Sequence, residues 1–188
     1  IDLLQFPVPR WHELDGGRYI GTDDLVISRD PEEGWVNVGT YRIMVHGPDR
    51  LALHMSPGKH GRVHKEKYHQ QGKPFPVAVS FGHHPINFIV ASNDVPNRVN
   101  EYDYAGGILR NPLEVVEGPL TGLPLPADAE IAIEGEVAIE DGRPASTWNL
   151  PDGWVRRDSG SWPRAAASPS WPSGRTATTT DAPSSTRP

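Results

Sequence analysis

The chain has 188 residues, enough for one buried core with a tail. Asp and Glu outnumber Lys and Arg by 24 to 18, and the net charge of −6 disfavours nonspecific attraction to nucleic acid or to an anionic membrane. The absence of Cys excludes disulfides, thiolate metal sites and a Cys nucleophile, and no apolar run approaches the roughly 20 residues that span a bilayer. Ile1-Asp2-Leu3-Leu4-Gln5-Phe6-Pro7 has neither the basic start nor the long apolar middle of a signal peptide, so a cytoplasmic location is expected. A start without Met reads as that of an internal fragment.

In chain order, the first β-type run is Asp24 to Ser28, followed by the turn signal Asp30-Pro31-Glu32-Glu33-Gly34 and a second run from Trp35 to Val45. Ser56-Pro57 announces a helix over His60 to Gln70 that Gly72 stops, and Pro76 to Phe81 reads as the next strand. Helices are expected over Ile86 to Ser92 and, after the cap residue Asn100, over Glu101 to Leu109. Strands at Leu113 to Glu117 and Ala129 to Ile139 flank an extended crossing, Leu123 to Asp128. This order predicts an α+β fold, an antiparallel split β-barrel over roughly Gly17 to Ile139 with a few flanking helices. Trp35, Val36, Val38, Val77, Val79, Val115 and Ile131 are expected among its buried residues.

The composition changes after Arg143. From Pro144 to Pro188 there is one Leu, one Val and no Ile, Phe, Met, Tyr or Lys, yet four of the six Trp fall here among Ser, Thr, Pro, Ala and Arg. Such a segment buries too little apolar surface to offset its ordering entropy, so residues 144–188 are expected to form a disordered, low-complexity tail behind a domain over 1–143. A Pro- and Ser-rich linker would explain it, but scattered Trp fits better the product of a frameshift in a GC-rich reading frame.

Asn37, His60 and Glu101 bring an amide oxygen, an imidazole and a carboxylate into this one domain, a donor set that suits a hard divalent cation, and Arg42 adds a guanidinium for an anion beside it. On a regular strand Asn37 shares a side with Trp35, Gly39 and Tyr41 while Arg42 points to the other, so their convergence needs a bulge or bend near Gly39. Each residue also has a plainer reading. Asn37 would serve as a strand-end amide and Arg42 as one half of a surface ion pair. His60 belongs with His54, His64 and His69 to what could be a solvated helix face, and Glu101 to a helix start that favours any carboxylate.

Four blocks tip the balance: His12 to Thr22 (HELDGGRYIGT), Trp35 to Arg42 (WVNVGTYR), Ser56 to Arg62 (SPGKHGR) and Val99 to Gly107 (VNEYDYAGG). Together they resemble, in order, the cofactor domain of the UbiD decarboxylases, covering Trp11 to Ile133. The resemblance implies an FMN-binding-like split barrel that holds prenylated FMN and a divalent metal, Mn2+ or Mg2+, with K+ as a further ion. It implies reversible, non-oxidative decarboxylation of an aromatic or α,β-unsaturated carboxylic acid, with CO2 as the other product. Asn37, His60 and Glu101 would ligate the metal. Arg42 would be catalytic, contacting substrate carboxylate and cofactor, and Thr22, Asn37, Thr40, Lys59, His60 and Ser92 would line the cofactor site. The partners implied are a flavin prenyltransferase that supplies the cofactor and, at full length, further copies of the chain; neither nucleic acid nor membrane is among them.

The family's proton-delivering glutamates belong to a motif expected near Gly142 to Gly153, and Asp152 is no convincing substitute for them. An inactive flavin- or metal-binding fragment, or a nonfunctional truncated product, is therefore the alternative to a working decarboxylase.

Overall fold

The computed structural model describes residues 2–140 and 143–149, with 140 and 143–149 as backbone alone. Glycine and aspartate punctuation decides where its sheet turns. Strand β1 (Arg18–Gly21) leads through the short Thr22–Asp24 link into β2 (Leu25–Arg29). Asp30 then reverses the chain: its Oδ1 accepts the amides of Glu32 and Glu33 at 2.8 and 3.0 Å, Gly34 takes a φ of +74°, and β3 (Val36–Gly39) returns alongside β2. The expected hairpin is in place. The strand predicted as continuous from Trp35 to Val45 is two, because the chain bends at Thr40-Tyr41 before β4 (Arg42–Val45) begins.

Strand β5 (Arg50–His54) pairs back on β4, and helix α1 (His60–Gln70) follows with its predicted bounds. Its last turn closes as a Schellman motif, in which Gly72 at φ +68° donates to the His69 carbonyl and Lys73 donates to that of Tyr68. Strand β6 (Phe75–Phe81), helix α2 (Pro85–Ala91) and helix α3 (Glu101–Leu109) come next, α3 being capped by the Asn100 side chain at the Tyr102 amide. Strands β7 (Val115–Glu117) and β8 (Pro124–Pro126) form a separate hairpin, and β9 (Ile131–Glu140) and β10 (Arg143–Asn149) complete the main sheet. Strand β10 begins where the sequence ended the domain; the rest of the predicted tail, residues 150–188, lies outside the described residues.

The main sheet runs β1-β4-β5-β10-β9-β6-β2-β3 and every pair in it is antiparallel. Strand β3 forms one edge while β4 lies next to the other, yet Thr40 and Tyr41 alone join them. That link reaches about 10 Å at most, so the sheet must coil until its two ends approach each other. Among the described residues no ladder joins β1 to β3. The fold is thus α+β with a coiled, open antiparallel sheet, and the described residues do not form a closed barrel.

Alternation along the strands builds two apolar layers. Val26, Val77 and Val79 join Ile43, Leu51, Leu53 and Ile133 on one face, whereas Leu25, Ile27, Val36, Val38 and Ala78 meet Tyr102, Leu123 and Leu125 on the other. Val36, Val38, Val77 and Val79 are buried as expected; Trp35 and Ile131 are half-buried. Val115 is exposed and its neighbour Val116 buried, a slip of one residue that sends the opposite set of side chains inward.

Candidate cofactor and metal site

The bend between β3 and β4 is organised by Tyr41. A side chain on Gly39 would lie 2.7 Å from the Tyr41 ring, and one on Gly61, in the first turn of α1, would lie 2.9 Å from its hydroxyl. The ring therefore occupies a slot that two glycines leave open, and its hydroxyl accepts the Gly61 amide at 3.2 Å. The bend expected near Gly39 exists as this break in the strand. Register irregularities fall elsewhere, in β1 between Tyr19 and Gly21 and in β10 between Pro144 and Trp148.

Asn37 and Glu101 reach the same corner. Strand β3 is a sheet edge, and the Val38 amide facing outward is met by Glu101 Oε2 at 2.8 Å, so the first residue of α3 stands where a further strand would pair. Burial pushes the Glu101 carboxyl up to about 7, against the opposing hydrogen bonds from the Val38 amide and its own. Asn37 is buried with its Nδ2 unpartnered; its amide faces the Tyr41 hydroxyl closely enough to favour the phenolate, though without the geometry of a full hydrogen bond. Burial chiefly raises the Tyr41 hydroxyl pKa, and the Glu101 charge adds to the rise. His60 opens α1, half-buried, with its ring edge-on to Trp35 at 5.2 Å. Asn37, Glu101 and the Gly61 amide beside His60 thus share one neighbour, Tyr41.

The remaining predicted residues ring this corner. Thr40 is half-buried beside Tyr41 in the link, and Arg42 is exposed at the head of β4 with its guanidinium 5.9 Å above the Tyr19 ring. Lys59, the last residue before α1, pairs with Asp94 at 3.0 Å and so ties the start of α1 to the segment after α2. Ser92 caps α2 and spends its hydroxyl on the Ile89 carbonyl at 3.0 Å. Thr22 is exposed in the link after β1.

Sequence reasoning missed several buried polar groups around them. Asp24 is fully buried beneath Gly21 with Oδ2 unpartnered; burial raises its carboxyl to about 8, opposed by its own amide and that of Tyr41. His64 does not belong to a solvated face. It is wholly buried, its Nδ1 is 3.0 Å from Ser28 Oγ, its ring packs on Trp35 at 4.6 Å, and burial lowers its pKa to about 4. Asp30, 3.7 Å from His64 Nε2, binds Lys67 at 2.7 Å. The Ser28, His64 and Asp30 set is sealed from solvent, which removes it as a nucleophilic triad.

Comparison with known proteins identifies the lineage. Residues 1–146 match the family model described as UbiD, 3-octaprenyl-4-hydroxybenzoate carboxy-lyase Rift-related domain. The chain belongs to the UbiD family. It is 36% identical over 141 residues to the pyrrole-2-carboxylic acid decarboxylase of Pseudomonas aeruginosa, covering 75% of this chain and 28% of that one. A UbiD-class enzyme, HmfF from Pelotomaculum thermopropionicum in complex with prFMN, superposes with a TM-score of 0.70 at 36% identity, over 73% of this chain and 32% of the other. The flavoredoxin of Desulfovibrio vulgaris shares the fold alone, with a TM-score of 0.54, 14% identity, and 72% and 69% of the two chains covered. This UbiD chain therefore spans under a third of the decarboxylase it matches.

Among the described residues no three His, Cys, Asp or Glu gather to hold a metal, so a cation here would draw the rest of its shell from amide, phosphate or water oxygens. Asn37 Oδ1 would be one such oxygen, while the unpartnered buried atom of that side chain, Nδ2, is a donor that suits an anion's oxygen; the Glu101 carboxylate, which receives one amide from another residue, gains a counter-charge from a cation. Among the described residues no helix is long and apolar enough to cross a membrane.

Proposed function

We propose that this chain is the cofactor-holding part of a reversible, non-oxidative decarboxylase for an aromatic or α,β-unsaturated carboxylic acid. It would use prenylated FMN and a divalent cation, Mn2+ or Mg2+, with K+ as a second ion, in the cytoplasm, with a flavin prenyltransferase as cofactor supplier and a homo-oligomer as the full-length assembly. Its relatives support the substrate class: one is a pyrrole-2-carboxylic acid decarboxylase, and the HmfF structure holds prFMN. Those names also favour a decarboxylase over an inactive binding fragment. Closure of the coiled sheet into a split barrel belongs to this reading and would need strands beyond those described.

The observation that carries the proposal is the buried Glu101, whose carboxylate receives one amide from another residue, that of Val38, next in sequence to the buried Asn37. Asn37, His60 and Glu101 would hold the cation, and Lys59 would balance the flavin phosphate at the start of α1. Thr22, Thr40 and Ser92 would offer hydroxyls to the flavin, Ser92 by giving up its bond to Ile89. Arg42, exposed and stacked on Tyr19, would take the substrate carboxylate through two parallel N–H bonds and orient its C–C bond. Prenylated FMN, when bound, supplies an electron sink for the carbanion that departing CO2 leaves. The proton that quenches this charge needs a carboxylic acid, and no Glu follows Glu140 in the chain.

The test has two arms. The 188-residue chain is titrated with Mn2+ in the presence of FMN, and Glu101→Gln is expected to abolish binding; unchanged binding would sink the site. The coding sequence downstream of Gly142 is then read in the other two frames. Recovery of a Gly-Pro-Phe-Gly-Glu type of motif, and CO2 release from pyrrole-2-carboxylate by the restored protein co-expressed with a flavin prenyltransferase, would support the activity.

A further inference from the structure

We infer that Tyr41 is a positioning residue: it caps helix α1 from outside the helix and so fixes the spacing of Asn37, His60 and Glu101 on which cation affinity depends. The inference rests on the site proposed above. Helix α1 starts without help from its own cap residue, because Lys59 makes no side-chain hydrogen bond to the first turn. An orphan first-turn amide normally takes a Ser, Thr, Asp or Asn oxygen at that place. Here the Gly61 amide takes the Tyr41 hydroxyl, from 20 residues away in sequence.

The geometry is restrictive. Gly39 and Gly61 close on the ring from β3 and from α1, at 2.7 and 2.9 Å from where their side chains would begin, so the ring sets how near these two elements come. Asn37 stands on β3 two residues before Gly39, and His60 on α1 next to Gly61. Glu101 is fixed to β3 through the Val38 amide. The tyrosine is therefore the bridge between a β3–α3 pair carrying two of the proposed ligands and the helix carrying the third. Its own backbone is steadied by the buried Asp24, whose carboxylate the Tyr41 amide faces.

The experiment follows free Mn2+ by electron paramagnetic resonance during titration of the 188-residue chain with FMN present, together with the melting temperature of each variant. Tyr41→Phe keeps the ring in its slot and removes the hydroxyl; a loss of affinity of about tenfold is expected, the range typical for groups that orient metal ligands. Gly61→Ala should show a similar loss although Ala favours helix over Gly, because the new methyl displaces the hydroxyl. Lys67→Met, at the far end of α1, removes that helix's ion pairs to Asp30 and Glu32, lowers stability, and should leave affinity unchanged. Glu101→Gln reports on the site itself. If it abolishes binding while Tyr41→Phe and Gly61→Ala bind as wild type, the role of Tyr41 is overturned and the site stands. Should Lys67→Met lose affinity in step with its melting temperature, as Tyr41→Phe does, Tyr41 acts through stability alone and the inference is overturned. Wild-type affinity in Glu101→Gln overturns the site and this inference with it.

Discussion

Glu101 and Glu134 are both buried carboxylates that face backbone amides, one at the β3–α3 corner and the other under the β7–β8 hairpin, yet their surroundings differ sharply. Glu134 Oε1 accepts the Thr121 amide at 2.9 Å and the Thr121 hydroxyl at 2.5 Å, its Oε2 accepts the Leu120 amide at 3.3 Å, and the bare Gly118 leaves room for it. Glu101 has a single amide from another residue, at Val38, and its charge is under-compensated. A saturated buried carboxylate holds a loop in place, whereas an unsaturated one retains the capacity to bind something else.

The comparison is most exposed at Glu134. Glu134→Ala leaves two amides and a hydroxyl without their acceptor and should cost about 3 kcal/mol, read from urea unfolding at pH 7. Mn2+ affinity should be unaffected. A variant as stable as the wild type would show that saturation at Glu134 has no structural value.

Glu101→Gln should do the reverse. In the metal-free protein the Glu101 pKa is raised from 4.5 to about 7, so between these values the folded state binds more protons than the unfolded chain. Stability is therefore lost as pH rises through that window. Gln does not ionise, so the variant should match the wild type near pH 4 and exceed it at pH 8, by up to about 3 kcal/mol. Mn2+ should stabilise the wild type alone, and less so as pH falls below about 7, where protons compete for the carboxylate. Parallel pH profiles for the two proteins would remove the contrast with Glu134.

A third buried carboxylate, Asp30, sharpens the rule from the saturated side. Burial pushes it up, but the Lys67 ammonium and the Glu33 and Glu32 amides outweigh this and hold it at about 2. Its contribution is present above the ordinary Asp value of 3.8 and is lost as pH falls through about 2. Lys67→Met should thus lower the urea midpoint at pH 7, by less than Glu134→Ala does, with the difference closing by pH 2. A difference that persisted in acid would assign the effect to the lost stem of Lys67.

How much of this was legible in the sequence follows from how local each signal is. Helices α1 and α3 have the bounds that Gly72 and Asn100 announced, because stops and caps act within a few residues. Strands β1 and β5 carried no distinct signal. A bend near Gly39 could be expected from the motif block, but its form as a break at Thr40-Tyr41 could not, because Trp35 to Val45 alternates like one strand and half of the Tyr41 ring's slot comes from Gly61, 20 residues on. Asn37, His60 and Glu101 could be named from motif blocks, but nothing in the sequence said that Tyr41 adjoins all three elements. The burial of His64 was hidden for the same reason: its partners Ser28 and Trp35 belong to other elements.

The smallest stability effect is expected at Lys59, and it tests whether exposed charge at this corner serves the fold. Lys59 and Asp94 are 3.0 Å apart but 56% and 94% exposed, so water and salt screen their attraction and ordering the long lysine side chain offsets much of it. Lys59→Ala should change unfolding free energy by no more than about 0.5 kcal/mol. If Lys59 instead serves the phosphate of the flavin, the same variant should weaken FMN binding several-fold at low salt, and the difference should shrink as ionic strength rises. Asp94→Ala separates the two roles, since it breaks the ion pair and leaves the ammonium for phosphate: FMN should then bind as well as to the wild type or better. Equal loss of FMN affinity in both variants would make the pair a structural tie between α1 and the segment after α2, and Lys59 would leave the proposed site.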